Sequence, residues 1–271
     1  MSSVFVSSHP DDAALSCGGF IAGLRARGEQ VTILSVFSGP GAIDYLTPFQ
    51  RLALGFGDRL GGPDDSLPTP AEVMAVRRSE DEAYARFIGA SIAFVNLPDA
   101  VFRGYESDAQ LMGKPRPDDP APIAELRAAL AKLQVERLYL PLSVGGHVDH
   151  RQTRRAAIAL LAAPGSPYLD RTLFYEDFPY ALTSGFERLD QLDPEILPSL
   201  PVGVTLIPEY VEIADMIDRK LAALRSYESQ IDRLFGPGDE PAAAAVRARA
   251  ARVGELGGIG PAERYWRVTI S

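Results

Sequence analysis

Apolar residues along this chain fall into short continuous runs separated by stretches with helical spacing, the alternation of strands and helices that cover one another. Val4 to Ser7 reads as a buried strand. The small-residue segment after Pro10 (Ala13, Ala14, Cys17, Gly18, Gly19, Ala22, Gly23) reads as a helix packed close to a sheet and ended by Gly28. Val31 to Phe37 is a second strand bounded by Gly39 and Pro40, so the opening is β-α-β. Thr69, Pro70 and Glu72 spell an N-cap, a first-turn proline and a capping-box acid, followed by one apolar face of Val73, Val76, Tyr84, Phe87 and Ile88. Further strands are expected at Ser91 to Leu97, Arg137 to Leu142, Leu173 to Glu176 and Arg267 to Ile270. Further helices are expected at Pro120 to Gln134, from the glycine turn before His147 to about Ala163, at Tyr210 to Leu234, and across the Ala/Arg-rich Pro241 to Val253.

This pattern predicts an α/β fold with a mostly parallel sheet and helices on both faces, in which ligands bind beyond the carboxyl ends of the strands. Two stretches, 38–68 and 98–119, break the alternation. Loops of that length are walls or lids of a functional site, or locally helical insertions. One domain spanning 1–271 is expected.

Composition narrows the function class. With 27 basic and 36 acidic residues the net charge is -9, which argues against nucleic acid or an anionic membrane as partner and for a small molecule. The single cysteine, Cys17, cannot form an internal disulfide. The N-terminus has no basic segment ahead of an apolar run, and no window approaches 18 uninterrupted apolar residues. A cytoplasmic protein without membrane insertion is the expectation, and nothing in the sequence signals an oligomeric state.

The three histidines of the chain, His9, His147 and His150, all fall at predicted strand-to-helix junctions, each beside a carboxylate. In His9-Pro10-Asp11-Asp12 a turn opening a helix puts positions 9 and 12 on one side, so His9 and Asp12 can meet one ion while Asp11 points elsewhere. His147-Val148-Asp149-His150 repeats the three-residue offset, and one imidazole from it completes two histidines and a carboxylate, a common set for catalytic zinc with a position left for water. Helix capping by Asp11, Asp12 and Asp149 is the plainer role for these acids, and it is compatible with a metal site.

HPDDAALSCGG followed by GGHVDH resembles the paired signature of the PIG-L/LmbE-type zinc de-N-acetylases, and VRRSEDEAYARFIGA, LPDAVFRGY, LFYEDFPYA and KLAALRSYESQ also look like segments of that family. The resemblance implies a Rossmann-like fold and a Zn2+ ion held by His9, Asp12 and His150. It further implies Asp11 as the base that takes a proton from the attacking water, His147 as the acid for the leaving nitrogen or as oxyanion stabiliser, and Asp149 as the partner that orients His147. The substrate would be an N-acylated small molecule, a glycoside or natural product. Ala13 stands where many relatives have Glu, and Val148 where Pro is frequent.

For substrate contact the candidates are Arg77, at the head of VRRSE, and Asp99 and Arg103, just beyond a predicted strand; solvated helix charges and loop salt bridges are the competing roles. Glu176 and Asp177 follow another strand without a role of their own. Phe174, Tyr175, Phe178 and Tyr180 are aromatics for stacking or core, the first two for core. Two rival functions stand beside the hydrolase: a metal- or ligand-binding protein without turnover, and a phosphoesterase, which commonly needs a second metal and further ligands.

Overall fold

The computed structural model describes residues 1–57, 68–192, 200 and 203–270. Its strands are β1 (Ser2–Ser7), β2 (Gln30–Ser35), β3 (Ser91–Phe94), β4 (Arg137–Pro141), β5 (Thr172–Tyr175), β6 (Val204–Glu212) and β7 (Ala262–Ile270). Among the described residues they form one sheet in the order β3-β2-β1-β4-β5-β7-β6. The first five run parallel, while β7 pairs antiparallel with both β5 and β6.

The helices are α1 (Asp12–Ala26), α2 (Pro48–Ala53), α3 (Pro70–Ile88), α4 (Asp108–Leu111), α5 (Ile123–Leu130), α6 (Val148–Leu161), α7 (Tyr180–Thr183), α8 (Ile217–Leu224), α9 (Glu228–Phe235) and α10 (Asp239–Gly257). Thr69 caps α3 as its sequence requires: its hydroxyl accepts the Glu72 N–H at 3.3 Å while the Glu72 carboxylate takes the Thr69 N–H at 2.7 Å.

Both faces of the central parallel strands β1, β4 and β5 are buried. Val4 and Val6 point into a core with Leu138, Leu140, Phe174 and residues of α5 and α6, whereas Phe5 points the other way among α1, α8 and α9 residues. Burial on two sides explains why these strands are continuous apolar runs. The small residues of α1 allow close packing, chiefly against the α8 region: a Cβ on Gly19 would come within 2.8 Å of the Ile213 side chain.

Two helix expectations are corrected, one strand went unread, and the long stretches are locally helical, one of the two readings offered for them. Tyr210 to Leu234 is not one helix: Tyr210–Glu212 closes β6, and a short 3-10 turn, α8 and α9 follow as separate pieces. β6 itself lay unread, because at an edge of the sheet its inward and outward residues give no strong apolar run. The helix of Pro120 to Gln134 is confined to Ile123–Leu130. The long stretches carry structure of their own, α2 in one and a 3-10 turn at Ala100–Phe102 with α4 in the other, and they pack on each other through Leu46, Leu54, Phe56, Val101, Tyr105 and Leu111. Of the first stretch, residues 58–67 lie outside the described residues. No helix among the described residues is long and apolar enough to cross a membrane.

Strand order reverses between β1 and β4, so the loops leaving these neighbours diverge and open a crevice at their carboxyl ends. His9 follows β1, and His147 and His150 follow β4.

Candidate active site

Three residues other than glycine have positive φ among the described residues, Asp11 (119°), Asn96 (70°) and Ser143 (64°), and each lies just beyond a parallel strand. Such backbone costs on the order of 1–3 kcal/mol per residue and persists where surrounding bonds enforce it. At Asp11 the enforcing bonds come from Ser7, whose hydroxyl donates to the His9 carbonyl at 2.7 Å and accepts from the Ala13 N–H at 2.9 Å. Asp11 occupies the N-cap position of α1, yet its side chain makes no capping bond. Its carboxylate is turned instead toward Arg77, 3.4 Å away, in a cavity of about 300 Å³ that His9, Asp12, Asp99, His147 and Tyr180 also line.

Asp12 is where the two loops meet. Its Oδ2 lies 3.3 Å from Nδ1 of His9 and 3.2 Å from Nε2 of His150, and it accepts the His9 backbone N–H at 2.7 Å. The far nitrogens of both rings face carboxylates: Nε2 of His9 is 2.9 Å from Asp149 Oδ2, and Nδ1 of His150 is 2.6 Å from Asp177 Oδ1. A carboxylate only accepts, so the far nitrogen of each ring is held as an N–H donor, and the near nitrogen faces Asp12 with a lone pair when a cation lies between them and with a second N–H when none does. Nε2 of His150 is buried without a hydrogen-bond partner. Two nitrogen lone pairs and a carboxylate oxygen converging in a buried site repel one another unless a cation lies among them, and a carboxylate behind each histidine is the usual outer support of a metal. His9, Asp12 and His150 are thus residues that could hold a divalent ion.

The electrostatics agree. Burial would raise the Asp12 carboxyl, but His150 and His9 hold it well below the ordinary range. Burial would depress His9, but hydrogen bonds to Asp12 and Asp149 carry it up to about 9, and Asp12 and Asp177 do the same for His150, which sits well above its ordinary value. Without a metal the cluster demands protons in its place. Asp11 differs: burial raises it to about 7 against the pull of Arg77, which suits a group that must accept and return a proton near neutrality.

His147 also lies close enough to His9 and His150 for the three rings to share an ion, and His9, Asp99 and Asp149 form another possible group. Hydrogen bonding disfavours both sets. Nδ1 of His147 accepts the Asp149 backbone N–H at 3.2 Å, making His147 the cap of α6 and leaving its proton on Nε2. The Asp149 carboxylate is taken by the Ala100 N–H at 2.9 Å, by Arg103 and by His9. This corrects the expected orientation of His147 by the Asp149 side chain: the contact is main-chain, and an N–H donor on Nδ1 favours neutral imidazole over imidazolium. Burial and the neighbouring charge of His9 also push His147 well below its ordinary pKa.

Of the substrate candidates, Arg77 is neither exposed nor solvated. It is buried in α3, donates to the Pro10 carbonyl at 3.1 Å and lies 3.6 Å from Asp99. Asp99 lines the cavity, and its Oδ1 accepts from Val101 N–H at 3.1 Å. Arg103 does not line the cavity, because its guanidinium is engaged with Asp119, Asp149 and the Pro98 carbonyl. Sequence reading missed Asp177, which fixes His150 and also accepts the Val144 N–H at 2.8 Å. Its position directly after a strand, beside the histidine loop of the neighbouring strand, was the available signal. A larger surface hollow of about 670 Å³ between α8 and α10 holds no histidine, and charges along it pair with each other, Arg225 with Asp239 and Arg247 with Asp218.

A family model described as GlcNAc-PI de-N-acetylase, PIG-L, matches residues 4–161, more than half of the chain. The chain belongs to the PIG-L family. As a PIG-L protein it is an enzyme, an amide hydrolase of the N-deacetylase type. It is 32% identical over 234 residues to 2'-N-acetylparomamine deacetylase of Streptomyces fradiae, covering 84% of this chain and 73% of that protein. Among solved structures it resembles A40926 pseudoaglycone deacetylase Dbv21, with 25% identity and a TM-score of 0.73 over 99% of this chain and 97% of the other. The zinc-inhibited form of teicoplanin deacetylase Orf2 shares the fold, with 21% identity and a TM-score of 0.74 over 100% and 99% of the two chains. PIG-L membership and the Rossmann-like α/β sheet agree with the resemblance read from the two histidine motifs.

Proposed function

We propose that this PIG-L protein is a zinc hydrolase that removes the N-acetyl group of an amino-sugar-like natural product, with His9, Asp12 and His150 holding the ion. The observation that carries the reading is the convergence of two histidine nitrogens on Asp12, each ring backed by its own carboxylate. Zinc bound there supplies Lewis acidity, acidifying a water and polarising an amide carbonyl.

The chain's own residues then account for the proton traffic. Asp11, raised by burial to about 7, takes one proton from the attacking water. The water oxygen forms a bond to the acyl carbon as the carbonyl π pair moves onto the acyl oxygen. Nε2–H of His147 donates to that oxygen; its Nδ1, blocked by the Asp149 N–H, keeps the ring neutral, so His147 serves as a donor to the oxyanion in preference to an acid for the leaving group. The oxyanion pair then re-forms the C=O bond, the C–N bond breaks and Asp11 returns its proton to the nitrogen, which gives the free amine and acetic acid, whose O–H proton passes to solvent to leave acetate. Arg77 holds Asp11 and Asp99 in place from the wall of the cavity.

The name of a relative, 2'-N-acetylparomamine deacetylase, supports an amine-bearing glycoside with an acetamide as the substrate class. Incubation of the zinc-loaded protein with mono-N-acetylated aminoglycosides and N-acetylglucosamine glycosides, followed by mass spectrometry, tests this. Loss of one acetyl unit, abolished by chelator and restored by zinc, is the expected outcome. A protein that binds zinc and leaves every such acetamide intact would instead be the non-catalytic binding member of the fold.

A further inference from the structure

Tyr180 opens α7 on the loop that leaves β5, and its ring stands edge-on to that of His150, with centroids 5.5 Å apart at 86°. It lines the same cavity as Asp11, Asp12 and His147. Nearby tyrosine hydroxyls are engaged: Tyr175 donates to the Val6 carbonyl, Tyr227 to Asp81 and Tyr105 to Asp119. Among the described residues the Tyr180 hydroxyl has no hydrogen-bond partner.

The histidine loop is shaped around this ring. Gly145 has φ 83°, and a Cβ there would come within 2.5 Å of the Tyr180 Cβ and 2.7 Å of its Cγ, so glycine serves both the turn and the seating of Tyr180. His147 and Tyr180 flank His150, with ring centroids 5.4 Å and 5.5 Å from it. A bound acyl group at the His9, Asp12 and His150 centre thus has one hydroxyl and one imidazole N–H beside it, both neutral donors.

We propose that the Tyr180 hydroxyl is a second hydrogen-bond donor to the acyl oxygen, acting with Nε2–H of His147 as negative charge develops there. The inference rests on the deacetylase reading. In the step concerned, the attacking oxygen forms its bond to carbon, the π pair shifts to the acyl oxygen and Asp11 holds the released proton. Collapse returns the pair to the C=O bond, breaks C–N and delivers the Asp11 proton to nitrogen. A donor that strengthens only as charge builds lowers the barrier and leaves ground-state binding unchanged.

Tyr180→Phe keeps the ring, and so the packing on Gly145 and His150, while removing the donor. Kinetics with an N-acetyl glycoside and its N-trifluoroacetyl counterpart, alongside zinc content, test the proposal. The expected result is a fall in kcat of about 10²-fold on the acetyl substrate, the order seen for one oxyanion donor, with KM and zinc content unchanged. On the trifluoroacetyl substrate, whose fluorines already stabilise the oxyanion, the fall shrinks several-fold. An effect on KM alone, equal losses on both substrates, or no loss overturns the proposal while leaving the deacetylase reading intact. Wild-type protein inert toward every acetamide in the panel overturns the deacetylase reading itself.

Discussion

Asp177 Oδ1 lies 2.6 Å from Nδ1 of His150, and this one contact decides which nitrogen of the histidine faces the centre. Outer carboxylates of this kind typically tune metal affinity by about 10–100-fold. Asp177→Asn is therefore expected to weaken zinc binding by about that factor without unfolding the chain, measured by competition with a chromophoric chelator. Unchanged affinity would remove Asp177 from the account.

Asp11 is assigned proton transfer and no part in holding the metal. Asp11→Asn is expected to lower deacetylation by about 10²–10⁴-fold, the usual weight of a general base, with the zinc content of the wild type. Loss of zinc in that variant would make Asp11 a ligand instead.

Asp81 offers a pH test away from the reacting groups. Burial lifts it to about 6, against hydrogen bonds from Ser35 and Tyr227, from an ordinary 3.8. The folded chain then keeps this proton up to about pH 6 while the unfolded chain releases it near 3.8, so the contribution is full below that pH and is lost as pH rises through 6. The gap of about two pH units corresponds to about 3 kcal/mol. Urea melts at several pH values are expected to show wild type losing more stability than Asp81→Asn between about pH 4 and 6; parallel curves would contradict this.

Glu176 anchors a buried cluster, accepting from Arg249, Arg264 and the Trp266 indole, and so ties the end of β5 to α10 and β7. Glu176→Ala leaves two guanidinium groups buried without that carboxylate, for which about 3–5 kcal/mol of destabilisation is expected. Thermal melts check it, and a shift within error of zero would mean that the arginines find other partners.

Much of this could be read before any coordinates. The Thr69 cap carries its own signal in three residues, and His9, His147 and His150 stand out because strand-end loops converge at one sheet edge. The central parallel strands announced themselves as apolar runs since both their faces are buried. What stayed hidden depends on tertiary partners. Tyr210 to Leu234 has enough apolar residues for a helix, but pairing of Tyr210–Glu212 with β7 overrides local preference. Arg77 and Arg103 look alike as loop or helix charges until folding buries one beside Asp11 and ties the other to Asp119 and Asp149. Tyr180 needed the space above Gly145 to be seen.

The central claim is that His9, Asp12 and His150 close around one divalent cation. Calorimetric titration of zinc into chelator-treated protein, wild type against Asp12→Ala, tests it directly. The account predicts one tight zinc per wild-type chain and none in the variant. Equal stoichiometry and affinity in the two proteins would contradict it.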